Sequence, residues 1–493
     1  MELDQVMLLG SVVLLVSIVA ARLGTRFGLP SLLIFLGLGV FVGQFVLPFN
    51  DAAVAHSLGF AALVIILGEG GFTTKWSEIK GALPGAVLLA TVGVGVSVVV
   101  VATFAHFVLG LDPVMAVLLG AITSPTDAAA VFSVLRKVPL PAKLRATIEA
   151  ESGFNDAPIV LLVATATLWS LGTGAEGGPV WMVVLILLEL AGGVLLGVAL
   201  GWLGVWALRR IALPSSGLYP LAAMGWVVLA YGLGSVAHVS GFAAVYVTAV
   251  VLGNGKLPHR HATRSFAEGI GWIAQIGLFV MLGMLAEPRR ITWAAVLAGL
   301  AAGVVLTFLA RPLSVFLCLS WFKVPWREQL FVSWAGLRGA VPIIMATVPL
   351  AAGAPGAEAL FDMVFAFVVV FTLLQAPTLP WVARRLQVSS GEDATDVEIE
   401  FAPLDTISAD MMQVHVPEGS RLHGVTIREL RLPKNSVVSL IVRNGEPFPV
   451  GADRIVRVGD DLLIVTNGDD RKRVEGRLRS IHRGGRLGHW MER

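Results

Sequence analysis

The sequence predicts an all-α polytopic membrane protein of about thirteen helices, two of them broken, followed by a small α/β domain. Three observations predict it. Long uncharged apolar runs recur through most of the chain, which is 56% hydrophobic with a mean hydropathy of +0.80; soluble domains run about 45–50% apolar, and a membrane β-barrel would show short segments of alternating polarity. Charge is concentrated at one end: 17 of the 34 acidic residues lie between Ser389 and Arg493. Two of the apolar runs are interrupted by proline and a charge, the second also by glycine, at similar places in the two halves of the membrane part.

A hydrocarbon core of about 30 Å takes about 20 residues of helix. Thirteen segments meet this, at roughly 5–22, 30–47, 54–72, 83–108, 113–134, 146–169, 179–207, 217–237, 241–254, 268–286, 291–321, 328–350 and 359–384. The opening MELDQVMLLG has no basic residue before its apolar run, so the first segment reads as a retained span, not a cleaved signal. Loops after odd-numbered spans are basic: Arg22 and Arg26; Lys75 and Lys80; Arg136, Lys137, Lys143 and Arg145; Arg209 and Arg210; Lys256, Arg260 and Arg264; Lys323 and Arg327; Arg384 and Arg385. Loops after even-numbered spans have almost none, Arg289 and Arg290 excepted. The positive-inside rule then puts the N-terminus outside and the C-terminal domain in the cytoplasm, in a multi-pass protein of a cell membrane.

The fifth span contains Thr123-Ser124-Pro125-Thr126-Asp127, and the twelfth Gly336-Leu337-Arg338-Gly339-Ala340-Val341-Pro342. Proline removes a backbone donor and glycine lowers helix stability, so Pro125, Gly339 and Pro342 mark helix breaks. Broken helices survive in a membrane where protein or a water-filled cavity satisfies the freed backbone. A matched pair points to an inverted-repeat transporter with its site at the midplane.

The composition shift near Gln387–Asp396 divides the chain into a membrane part at 1–386, an acidic linker at 387–404 and a soluble part at 405–493. In the last, Met412–Val416, Ser436–Val442 and Leu462–Thr466 are strand-like, Thr426–Leu430 and Asp469–Ile481 are helical, and Asn444-Gly445 is a hairpin signal.

An aspartate in the middle of a span costs roughly 3 kcal/mol. Asp127, Glu151 and Asp156 each carry such a cost, and residues so placed line an ion path or pair with another charge. Ser152 and Asp156 are four apart and share a helical face, with Asn155 beside them. A carboxylate, a hydroxyl and an amide oxygen suit a hard monovalent cation, and Thr126 and Asp127 of the broken fifth span could reach the same point. Burial favours a neutral carboxyl and a neighbouring cation the charged one, so Asp156 is suited to hold either a proton or a cation. Glu151 and Arg338 are read as a structural ion pair tethering the sixth span to the twelfth; a direct part in ion binding is the alternative. Glu69, in LGEGGF at the end of the third span, is either an accessory ligand, gate or pH-sensing group, or a solvated interfacial acid.

Other classes are disfavoured. The net charge of +2 argues against a nucleic-acid partner, and the single cysteine, Cys318, excludes an internal disulfide. The H-E-x-x-H, P-loop and G-x-S-x-G motifs do not occur, so nothing supports an enzyme.

TSPTDAAAV, ESGFNDAPIV and GLRGAVPI, in this order and spacing, resemble the monovalent cation/proton antiporter superfamily, and within it the NhaP-type bacterial antiporters that carry a cytoplasmic tail. The resemblance covers Met1 to about Arg385. It implies thirteen spans, a dimer domain, a moving core domain and two crossed broken helices, and exchange of sodium or potassium for protons in a homodimer of the bacterial inner membrane. It also implies that Asp156 is the exchange carboxylate, that Asn155, Ser152, Asp127 and the Thr126 backbone belong to the ion site, that Glu151 and Arg338 form the structural pair, and that Glu69 is an accessory ligand. The stretch from about Met411 to Thr466 resembles the TrkA-C module of potassium-transport regulatory subunits, through its strand pattern and VGDDLLIV. Such lobes can bind small ligands, so a small-molecule or nucleotide ligand is an expectation for the tail, and none for the membrane part; the nucleotide-binding lobe with its G-x-G-x-x-G is absent from the tail. The combination resembles potassium/proton antiporters linked to cell-volume control. Sodium/proton exchange by the same fold, a regulated cation channel and a ligand-sensing receptor are the competing readings.

Overall fold

The computed structural model describes residues 3–27, 31–135, 138, 140–173, 178–388, 399–404, 409–417, 419–443, 445–467 and 470–485. The chain divides into two compact units, Met1–Ser389 and Ser390–Arg493.

The first unit is helical, and each of the thirteen expected spans has a helical counterpart. The first three are α1 (Leu3–Phe27), α2 (Ser31–Phe45) and α3 (Ala52–Thr73). Next come a short turn of helix, α4 (Trp76–Ile79), and the span Leu83–Phe107, made of α5 (Leu83–Leu88) and α6 (Val94–Phe107) around a π turn at Leu89–Gly93. The broken fifth span is α7 (Pro113–Thr123) and α8 (Ala128–Val134). Then follow α9 (Ala142–Ser170), α10 (Gly178–Arg210), α11 (Leu218–Val236), α12 (Gly241–Asn254) and α13 (Arg260–Leu285). The span Trp293–Phe322 holds α14 (Trp293–Val305) and α15 (Arg311–Leu319), with a π turn at Leu306–Ala310 between them. The broken twelfth span is α16 (Trp326–Trp334) and α17 (Ala340–Ala351), and α18 (Ala357–Arg385) is the last.

Seven of these helical segments are long and apolar enough to cross a membrane, among the described residues. Small residues let helices approach closely, as they do in membranes generally. A side chain at Gly43 of α2 would stand 2.8 Å from the Met284 backbone of α13. Arg290, one of the two basic residues that broke the alternation of charged loops, pairs with Asp362 of α18 at 3.1 Å and with Glu358 at 3.7 Å. Its charge is thereby matched locally.

The second unit is a five-stranded antiparallel sheet of order β1-β2-β5-β3-β4, from β1 (Ile399–Leu404), β2 (Ala409–His415), β3 (Ser436–Arg443), β4 (Glu446–Pro449) and β5 (Asp460–Thr466). A helix, α19 (Arg471–Gly484), and a 3-10 turn at Ile427–Leu430 complete it. Burial alternates along β5, as expected of a strand with one face on a core. Met412, Val414, Leu462 and Ile464 from the sheet meet Val474, Leu478 and Ile481 of α19 in that core. Gly445, at a φ of +81°, supplies the left-handed residue of the β3–β4 turn; Asn444 lies outside the described residues.

The stretch 387–404 is not linker throughout, because β1 occupies Ile399–Leu404. The strand β4 also goes unannounced by the sequence. Both lie at sheet edges and contain proline (Pro403; Pro447 and Pro449). Proline weakens a strand signal, yet an edge strand has a free side on which the missing N–H costs nothing.

Arg443 and Asp460 staple the sheet's centre. The guanidinium donates from Nε to Oδ1 at 2.6 Å and from Nη2 to Oδ2 at 2.8 Å, and the Arg457 backbone N–H adds a third bond at 2.8 Å. Burial alone would push the Asp460 carboxyl up; the hydrogen bonds from Arg443 and Arg457 and their charges outweigh it and hold the carboxyl below its usual range. A depressed folded-state value means stability that is full above the unfolded-state value and is lost as pH falls through the folded one. Arg443→Leu is expected to cost this unit about 2 kcal/mol or more. Limited proteolysis of the full chain between pH 3 and pH 7 should find the tail opening at higher pH in the variant.

A candidate ion site at the crossing of two broken helices

The two interruptions meet. Between α7 and α8 the backbone is non-helical over Ser124–Asp127, and between α16 and α17 over Ala335–Gly339. The Asp127 N–H donates to the Leu337 carbonyl at 2.8 Å, so one break satisfies the other. Gly339 is required here, because a side chain on it would strike the Asp127 carboxylate. Asp127 also caps α8, its Oδ1 accepting from the Ala130 N–H at 3.1 Å. Pro125 sits inside the first break, but Pro342 does not sit inside the second. It lies in the first turn of α17, where its missing N–H would have had no helical partner anyway. Gly339→Ala is expected to drive the breaks apart at a cost of about 1–3 kcal/mol, read as a lower melting temperature together with lost transport.

α9 passes the crossing and carries Glu151, Ser152, Asn155 and Asp156. The spacing of Ser152 and Asp156 sets both on the wall of one cavity of about 280 Å³, and Thr126, Asp127 and Glu69 line the same cavity. Five candidates read from different spans are thus brought together. Asn155 stands behind them: its Nδ2 donates to Thr126 Oγ1 at 2.9 Å, fixing the broken span against α9. Asp156 is only 5% exposed. One of its oxygens, and the Asn155 amide oxygen, are buried with no hydrogen-bond partner among the described residues. A buried acceptor without a donor is costly, and a proton or a cation is what satisfies a carboxylate so placed. Glu149, Tyr246 and Gln275 also line the cavity. Glu149 lies two residues before Glu151 at the end of a charged stretch, and its neighbours gave no sign that it differs from an ordinary solvated acid.

The expected Glu151–Arg338 pair is not formed. Glu151, 1% exposed, is held by Arg311 of α15, with Nη1 to Oε1 at 2.6 Å and Nη2 to Oε2 at 2.8 Å. This is the bidentate arrangement that makes arginine–carboxylate pairs strong and directional. Arg338 instead serves the breaks. Its Nε donates to the Thr123 carbonyl at 3.3 Å, its Nη1 bonds the Gly336 carbonyl, and its own carbonyl accepts from Thr372 Oγ1 at 2.9 Å. Arg311 directly follows the π turn Leu306–Ala310, a wide turn that re-aims the residues after it. The signal for it was present in the sequence: the rule that singled out Asp127, Glu151 and Asp156 applies equally to a lone arginine inside the apolar span 291–321.

The chain was compared with known proteins. The family model for the transmembrane sodium/hydrogen exchanger matches residues 11–385, and that of the TrkA-C domain residues 411–479. The K(+)/H(+) antiporter NhaP2 of Shewanella oneidensis is 32% identical over 94% of this chain and 81% of its own. The K(+)/H(+) antiporter NhaP of Alkalimonas amylolytica is 35% identical over 92% of this chain and 80% of its own. Among solved structures, the sodium proton antiporter MjNhaP1 of Methanocaldococcus jannaschii at pH 8 superposes with a TM-score of 0.68 at 23% identity, over 79% of this chain and all of that one. Two motif-bearing broken helices, a buried carboxylate beside their crossing and these matches lead to one statement: the chain belongs to the sodium/hydrogen exchanger family.

Proposed function

We propose that this protein exchanges a monovalent cation, potassium in preference to sodium, for a proton across a cell membrane. The observation that carries the reading is the cavity in which Asp156 keeps an oxygen unpartnered among the described residues, beside Ser152, Thr126 and Asp127. Asp156 binds the proton and the cation in turn, and the cavity is offered to one side of the membrane and then the other. The preference for potassium rests on the relatives named potassium/proton antiporters. With a proton bound, Asp156 is neutral; with one monovalent cation bound, the pair is neutral again. Moving a whole charge would couple to membrane potential at about 2.3 kcal/mol per 100 mV, so exchange is one for one and indifferent to voltage.

The working assembly in this reading is a homodimer in a bacterial inner membrane, with the N-terminus outside and the C-terminal unit in the cytoplasm. That unit regulates exchange in response to a small ligand, possible only where the ligand favours one state of the whole protein over another.

Sealed proteoliposomes test the reading. Proton flux driven by a potassium gradient is expected to exceed that driven by an equal sodium gradient, with a reversal point unmoved by a clamped potential. Equal flux with both cations would make this a sodium/proton exchanger of the same fold. Potassium current without proton movement would make it a channel. A reversal point that follows voltage would refute the count of one carboxylate.

A further inference from the structure

Two residues of the cavity wall, Gly153 of α9 and Tyr246 of α12, also line a second and larger space. The hydroxyl end of the Tyr246 ring packs against Gly153, where an added side-chain carbon would stand 2.5 Å from it. Together they form a thin partition. Beyond it, a groove of about 640 Å³ runs between the α4–α5 segment, α9, α10 and α12.

Its walls are apolar, with Val87, Val194, Val198 and Val250 among them, and exposed Trp202 and Trp76 frame it. Asn254 is polar but spent, its Nδ2 donating to the Thr74 carbonyl at 2.9 Å and its Oδ1 accepting from the Trp76 N–H at 2.9 Å. The charged residues stand at the same end. Lys256 follows Gly255 of the lining and is exposed; Lys75 precedes Trp76, with Glu78 bound at 2.8 Å. A slot of hydrocarbon-like walls with tryptophans and an exposed lysine at its mouth complements one amphiphile in particular. Tryptophan favours the headgroup level of a bilayer, and lysine attracts anionic headgroups there.

We propose that this groove holds an acyl chain of an anionic phospholipid, with the phosphate at Lys256. The lipid then lies one tyrosine ring away from the cavity that contains Asp156. Recognition needs no transport, so its failure and the failure of the exchange reading are separable.

The test is native mass spectrometry of the full chain, released from micelles carrying equal amounts of palmitoyl-oleoyl phosphatidylglycerol and phosphatidylcholine. The wild type is expected to keep a phospholipid at collision energies that strip the rest, with phosphatidylglycerol favoured about fivefold, the size of one lysine's attraction to an anionic leaflet. Val198→Trp and Val194→Trp, which each put an indole into the groove from α10, should lose that lipid while melting as the wild type does. Lys256→Gln should keep the lipid and bind the two headgroups equally. Equal retention by the wild type and both tryptophan variants would overturn the proposal. So would a headgroup preference untouched by Lys256→Gln. Variants that break a dimer without changing the lipid count would show that a second copy fills the groove, and would overturn it too.

Discussion

Asp156→Asn is expected to reduce exchange to the background of protein-free vesicles while the protein remains folded and inserted. The substitution keeps shape and removes the one property the site depends on. An amide neither takes up a proton in this range nor balances a cation, and Asp156 has an oxygen that no donor among the described residues satisfies. Ser152, Thr126 and Asp127 would still line the cavity, but a loaded site would then carry the cation's charge uncompensated. Melting temperature and flux, measured on one preparation, check this. Wild-type flux from a folded variant would remove Asp156 from the centre of the mechanism.

Removing Arg311 is expected to have the largest effect on stability. It leaves Glu151 buried with its bidentate partner gone, at a cost of about 3–5 kcal/mol. Arg311→Met should therefore melt far below Asp156→Asn. Replacing both partners, Glu151→Leu with Arg311→Met, should recover much of the loss, because apolar residues of similar volume often match a buried ion pair. A double-mutant cycle separates this pair from the alternative. Coupling of Glu151 to Arg311 should exceed its coupling to Arg338, which bonds the carbonyls of Thr123 and Gly336. Equal or reversed couplings would restore the Glu151–Arg338 pairing.

The contrast between these two arginines shows where sequence reasoning stops. The number and order of spans were legible because hydrocarbon thickness fixes helix length, and even the short segment 241–254 is a helix at those residues. The cavity's main residues were legible because a charge is expensive in an apolar span. Partner choice was not. Two arginines lay within reach of one glutamate, and a π turn more than a hundred residues away decided which of them faces it. Tyr246 and Gln275 carried no signal, since neither type is out of place in a span and only the fold brings them to the cavity. In the soluble unit, the alternating strands were visible and the proline-bearing edges were not.

The crossing of the breaks has an electrical consequence. Each helix end carries about half an elementary charge, positive where a helix begins and negative where it stops. Two helices stop here, α7 after Thr123 and α16 after Trp334, and two begin, α8 at Ala128 and α17 at Ala340. Arg338 bonds carbonyls at the stopping ends, and Asp127 caps one beginning end while its carboxylate lies against the other, at Gly339. The four ends and the two side chains cancel in place. Asp127 is thus committed to backbone dipoles that never leave it. Asp156 sits in the middle of α9, caps neither of the helices that begin at the crossing, and is left to its mobile ligands. One carboxylate holds the membrane's hole in the helices closed, and the other is left as the exchangeable one.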